Sequence, residues 1–219
     1  MFRCGWADVR PISGTVSNEA VFSRLVPRGA TVIAHKVATG GHISHDRMGA
    51  LGKRTDRILP WPTLADGYRI DAAAARDLLL AEKPVVAVLG RSMFLFPEPV
   101  AELAEAAKAA GTRLLYDGAH VLGLIAGGQF QDPLREGADV LMGSTHKTYF
   151  GPQRGVVPGG LARQSLLNGR GRIDGPAQQQ PDDAGRQQRQ QHHHQGRPRH
   201  RCGQRLRHRA GCASSRPFR

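Results

Sequence analysis

From about Ser17 to Pro158 the chain alternates segments of helical character with short, wholly apolar runs. That alternation is the mark of βαβ units and a mainly parallel sheet, because strands buried on both faces by helices have no polar side to show. Asn18 to Val26 reads as a helix, opened by the polar run Ser13-Gly14-Thr15, and Thr31 to Ala34 as a strand. Gly40 to Arg57 is polar and Gly-bearing, and reads as a loop. Asp71 to Glu82 is rich in Ala and Leu behind an acidic first residue, which suits a capped helix start. Pro84 to Leu89 is a buried strand. Pro97 to Ala110 is a helix with Pro near its start and Gly111 just beyond its end. Thr112 to Tyr116 and Asp139 to Met142 are two more buried strands. The fold class is therefore α/β, a mainly parallel central sheet with flanking helices.

After Gly160 this pattern stops. Gln178-Gln179-Gln180, Gln190-Gln191 and His192-His193-His194 alternate with frequent Arg, and branched aliphatic residues are scarce. Such a segment buries too little apolar surface to offset the entropy of ordering it, so residues 159–219 are expected to be disordered, apart from a folded part at 1–158. Charge divides at the same place. Residues 1–158 hold 18 Lys+Arg against 15 Asp+Glu, and the remainder 13 against 3. The excess in the tail is all Arg, the mixture that out-of-frame reading of GC-rich DNA produces, and a frameshift near residues 158–163 is the expectation. Taken at face value the basic tail would suggest nucleic acid as a partner, with binding that falls steeply as salt is added. Its single aromatic, Phe218, argues against this, since single-strand binders stack bases on aromatic rings.

No apolar run approaches the roughly 20 residues that cross a bilayer, and the first residues lack the apolar stretch of a signal peptide. A cytoplasmic location is the expectation. Cys4, Cys202 and Cys212 form no C-x-x-C pair, so neither a disulfide framework nor a metal site is indicated.

The chemistry-bearing residues cluster where predicted strands end. Ser13-Gly14-Thr15, His42, Asp117 with His120, and Lys147 each have an ordinary structural explanation when taken singly, as a cap, a turn or a surface charge. Together they meet the needs of one cofactor. Backbone N–H groups at a helix start, with two hydroxyls, suit a phosphate. A carboxylate such as Asp117 favours the protonated form of a pyridine nitrogen. An imine needs a lysine at the same sheet edge, and an imidazole such as His42 suits the face of a flat ring.

Gly40-Gly41-His42-Ile43-Ser44-His45, the run Tyr116-Asp117-Gly118-Ala119-His120-Val121-Leu122-Gly123 and Ser144-Thr145-His146-Lys147-Thr148 resemble, in order and spacing, the motifs of the serine hydroxymethyltransferase family. Pro11-Ile12-Ser13-Gly14-Thr15-Val16-Ser17-Asn18 resembles that family's phosphate-binding turn, and Gly151-Pro152-Gln153-Arg154-Gly155 the stretch after its lysine. The resemblance covers residues 7 to 158 and implies the large domain of a fold type I pyridoxal-phosphate enzyme, incomplete in this chain. It implies Lys147 as the Schiff-base lysine, Asp117 at the pyridine nitrogen, His42 on the ring and His120 near the phenolic oxygen. Ser13, Gly14 and Thr15 would hold phosphate, with Ser144 and His146 beside the cofactor. Ser92 matches the family's cofactor-side serine, although Met93-Phe94-Leu95-Phe96 departs from the usual continuation.

The activity so implied is the interconversion of serine and glycine with tetrahydrofolate or a related pterin as co-substrate, in a homodimer. A threonine aldolase or transaldolase on the same scaffold would use the same residues, because cleavage of a β-hydroxy amino acid needs the same electron sink. The family's amino-terminal segment, with its proton-transfer and folate-contacting residues, and its small carboxy-terminal domain, with a substrate-binding arginine, have no counterpart here. An impaired or inactive enzyme is therefore expected of this chain.

Overall fold

The computed structural model describes residues 1–160. The expectation of disorder concerns residues that, beyond Gly160, lie outside those described. The elements run β1 (Trp6–Asp8), α1 (Gly14–Leu25), β2 (Val32–Ala34), β3 (Ile58–Pro60), α2 (Ala72–Glu82), β4 (Val86–Leu89), α3 (Val100–Ala110), β5 (Arg113–Asp117), α4 (Leu122–Ala126), α5 (Pro133–Glu136), β6 (Val140–Ser144) and β7 (Gly155–Gly159). Of two 3₁₀ turns, Val37–Thr39 precedes the segment Gly40 to Arg57 read as a loop, and Ile43–His45 lies within it.

The seven strands make one sheet in the order β1-β7-β6-β5-β4-β2-β3. β3, β2, β4, β5 and β6 are mutually parallel, whereas β7 and β1 are antiparallel additions at one edge. The predicted strands at Thr31–Ala34, Pro84–Leu89, Thr112–Tyr116 and Asp139–Met142 are the central four. β1, β3 and β7 had no sequence signal strong enough to predict them. β7 spans the boundary placed after Pro158, since it continues to Gly159.

Burial follows from the period-two geometry of a strand covered on both sides. Val86 and Val88 pack with Val21, Phe22, Leu25, Leu115 and Met142 against α1. Ala87 and Leu89 turn the other way, into a layer formed with Leu79, Leu103, Leu114 and Tyr116 under α2 and α3. The four central strands are therefore apolar at nearly every position because each face has its own helix layer.

Helix starts follow local chemistry. α1 begins at Gly14, four residues before the predicted start, because Ser13 is extended and its hydroxyl accepts from the N–H of Val16. Asp71 caps α2 by accepting from the N–H groups of Ala73 and Ala74. Asp71→Ala is expected to destabilise the chain by about 1 kcal/mol in urea unfolding, and an unchanged midpoint would show that the cap is idle.

Candidate active site

The parallel strands β2, β4, β5 and β6 all point their carboxyl ends the same way. At that edge His35 follows Ala34, Arg91 follows Leu89 and Gly90, Asp117 ends β5, and Lys147 lies three residues past Ser144. The amino end of α1 reaches the same place. In open α/β sheets this edge is where ligands sit, because the strand-to-helix loops leave a crevice there.

The crevice has a volume of about 230 Å³ and is lined by Ser13, Gly14, Thr15, Asn18, His42, Arg91, Asp117, Ala119, His120, His146, Lys147 and Gln153. Eight of the ten residues expected from sequence are therefore brought together. Ser144 is fully buried behind the crevice and accepts a hydrogen bond from Lys147 Nζ at 3.1 Å, which fixes the amine. Ser92 is not among the lining residues; its backbone N–H donates to the Gly40 carbonyl at 2.8 Å.

Asp117 is the anchor of the floor, 6% exposed. Its Oδ2 accepts from Asn18 Nδ2 at 2.7 Å and lies 2.9 Å from His45 Nε2, while Oδ1 accepts from the N–H of Ala119 at 3.0 Å. Burial alone would raise its pKa, but the hydrogen bond and charge of His45, with the Asn18 and Ala119 donors, outweigh burial. The carboxyl is held well below the usual carboxylate range and is ionised at neutral pH.

On the rim, His42 Nδ1 lies 2.7 Å from Ser44 Oγ and accepts from the Ser44 N–H at 3.1 Å, which orients its ring. The His42 and His120 rings are 6.5 Å apart. Burial lowers the pKa of His42, with His45 and Lys147 acting in the same direction and Asp117 opposing. Burial, Lys147 and His42 lower that of His120, again against Asp117. Both rings are neutral at pH 7.

Four features were not picked out from sequence: Asn18, His45, Arg91 and Gln153. His45 and Asn18 lay inside motifs quoted for other residues. Asn18 sits five residues after the Ser13 cap on the buried side of α1, and His45 three residues after His42. A buried asparagine on the helix face that also carries Val21, Phe22 and Leu25 was the available signal.

The donor set suits a flat, anionic pyridine aldehyde. Ser13, Gly14 and Thr15 line the crevice at the start of α1, where the first N–H groups of a helix have no backbone acceptor within it, as a phosphate requires. Across the floor lies the ionised Asp117, and beyond it the primary amine of Lys147. Asn18 Oδ1 is buried without a hydrogen-bond partner among the described residues, an orphan on the crevice wall. At Gly14 an added Cβ would stand 3.0 Å from Ser144 Cβ, a tight contact, so the start of α1 passes close to β6.

The serine hydroxymethyltransferase family model matches residues 1–169. The chain belongs to the serine hydroxymethyltransferase family. It is 51% identical over 166 residues to the serine hydroxymethyltransferase of Methanothermobacter thermautotrophicus, covering 76% of this chain and 38% of that protein. The corresponding protein of Pyrococcus abyssi is 50% identical over 157 residues, 72% of this chain and 37% of the relative. That of Thermoplasma acidophilum is 50% identical over 159 residues, 73% and 37%. The chain thus spans less than two-fifths of the length of these curated relatives. The mostly parallel seven-stranded sheet with flanking helices is the α/β fold expected of the family. Nothing in these matches favours the aldolase or the nucleic-acid reading. No helix among the described residues is long and apolar enough to cross a membrane.

Proposed function

We propose that the crevice binds pyridoxal phosphate through Lys147, and that the protein to which these residues belong interconverts serine and glycine with a tetrahydropterin co-substrate. The observation that carries this reading is the single crevice uniting the α1 amino end, the buried Asp117 and the Lys147 amine. Bound there, the cofactor supplies an electron sink for charge developing beside the nitrogen of an amino acid.

The chain's own residues do the rest. Ser13, Gly14 and Thr15 bind the phosphate with backbone N–H groups and hydroxyls. Asp117, ionised by its three donors, keeps a proton on the ring nitrogen. Lys147 presents the amine that attaches the cofactor, and Ser144 holds that amine in place through the hydrogen bond described above. His42, oriented by Ser44, would cover a face of the ring, and His120 would stand near the phenolic oxygen. His146 completes the surroundings. A small amino acid substrate, a homodimer and a cytoplasmic location belong to the same proposal. The assignment of residues 1–158 as the cofactor-binding part rests on the site residues lying between Ser13 and Gln153.

Incubation of the full chain with pyridoxal phosphate, followed by borohydride reduction and peptide mapping, is expected to place the label on Lys147. A label on Lys36, Lys53, Lys83 or Lys108 in preference to Lys147, or no label, would overturn the reading.

A further inference from the structure

Beside the cofactor crevice lies a second buried polar cluster that the proposed chemistry does not use. Arg91, Glu98 and His35 are 3%, 4% and 2% exposed. The Arg91 fork grips the Glu98 carboxylate twice, Nε to Oε1 at 2.6 Å and Nη2 to Oε2 at 3.2 Å. His35 Nε2 stands 3.1 Å from the same Oε1. The remaining nitrogen, Nη1, donates to two backbone carbonyls, that of Thr39 at 3.1 Å and that of Tyr68 at 2.9 Å. The guanidinium also lies over the Tyr68 ring, 4.2 Å from its centroid.

A buried ion pair is weak evidence for stability, because taking two charges out of water costs about what their attraction returns. What distinguishes this one is where its spare donors go. Thr39 belongs to the segment between β2 and His42, which has no strand or long helix to hold it. Its other ties include one within the segment, Gly41 N–H to the Lys36 carbonyl at 3.0 Å, and two from the loop after β4, the N–H groups of Ser92 and Met93 to the Gly40 carbonyl at 2.8 and 3.2 Å. Gly40 itself has φ of 86°, where a side chain would be strained. The segment is thus pinned from β4, through Arg91 and its two neighbours, and His42 follows immediately in the chain. Arg91 and His42 line the same crevice.

We infer that Arg91, with Glu98 as its buried counter-ion, is a positioning residue that fixes segment 36–41 and so sets the place of His42 beside the crevice. The inference rests on the cofactor reading only for what His42 does there. Arginine is required because one planar fork must balance Glu98 and reach two carbonyls at once, which the compact ammonium of lysine cannot do.

Amide hydrogen exchange of the full chain tests this. Arg91→Lys keeps the charge that balances Glu98 and gives up the fork. The N–H groups of Gly41, Ser92 and Met93 are expected to exchange about tenfold faster, the effect of losing one or two hydrogen bonds, while amides inside β4 and β5 keep their protection. The His42 ring should then titrate closer to the ordinary histidine value, as its burial lessens. Arg91→Met with Glu98→Leu removes charge and counter-charge together, strands no ion, and should loosen the same three amides. Loop exchange in Arg91→Lys equal to that of the parent would overturn the inference, since a merely structural ion pair is rescued by lysine. So would an equal rise in loop and strands in both variants. A parent chain that takes no borohydride label at Lys147, with variants that still loosen the loop selectively, sinks the cofactor reading and leaves this one standing.

Discussion

Asp117→Ala is expected to lower the unfolding free energy of the full chain by about 3–5 kcal/mol, the range found when one partner of a buried pair is removed. The substitution leaves His45 Nε2 and Asn18 Nδ2, 3.3 Å apart, without the carboxylate that both address, and leaves Asn18 Nδ2 only the Ser44 hydroxyl as acceptor. His45 is fully buried and its other nitrogen already lacks a partner among the described residues, so the ring has no second acceptor to turn to. Urea unfolding monitored at two wavelengths reads the change directly, and a midpoint equal to the parent's would show that the Asp117 contacts contribute nothing. Asp117→Asn keeps the shape and should cost less, because an amide oxygen still accepts.

The same carboxyl gives the chain an acid-sensitive component with a definite sign. Folding lowers the Asp117 pKa, against burial, through His45, Asn18 and Ala119. Its stabilisation is therefore complete above about pH 4, the range of an unperturbed aspartate, and drains away as pH falls toward the depressed folded value. In Asp117→Asn that part of the acid dependence should be absent. A parent and variant whose stabilities decline in parallel below pH 4 would contradict the assignment.

Gly90→Ala is expected to cost about 2–5 kcal/mol, combining a backbone conformation unfavourable to a side chain with steric overlap. Gly90 has φ of 92° at the end of β4, and a Cβ there would stand 2.1 Å from the carbonyl oxygen of Asp117. That atom is backbone, so it can give way only by shifting the end of β5 and the carboxylate with it. Thermal unfolding measures the stability loss, and the borohydride label at Lys147 should fall in parallel because the crevice floor moves. An alanine variant with parental stability and labelling would mean that the loop after β4 is free to rearrange.

Much of the fold was legible because its strands are buried on both faces. The strand Val86–Leu89 needs no tertiary information to read as a core strand: it lies in five apolar residues in a row, Val85-Val86-Ala87-Val88-Leu89, bounded by Pro84 and Gly90. β1, β3 and β7 are different. Trp6–Asp8 and Ile58–Pro60 are three residues long, and Gly155–Gly159 contains two glycines and a proline. Their extended conformation comes from the neighbour they pair with, β7 with β6 and β1, and β3 with β2, so local propensity carries little of it.

The candidate site divides along the same line. Ser13, His42, Asp117, His120 and Lys147 were identifiable because each sits in a short motif at the end of an element, and contiguous residues are what a sequence displays. The contacts that give these groups their properties were not. Asn18 reaches Asp117 across 99 positions and His45 reaches it across 72. Thr39 meets Arg91 across 52. Sequence alone therefore determined α1, α2, α3 and the four strands β2, β4, β5 and β6, and which chemical groups gather at their ends, since helix caps, apolar runs and motif spacing are local. Only the tertiary structure decided that Asp117 stays ionised and which loop Arg91 holds. Those outcomes depend on burial and on donors brought in from distant segments, and burial exists only once the sheet and both helix layers have closed around them.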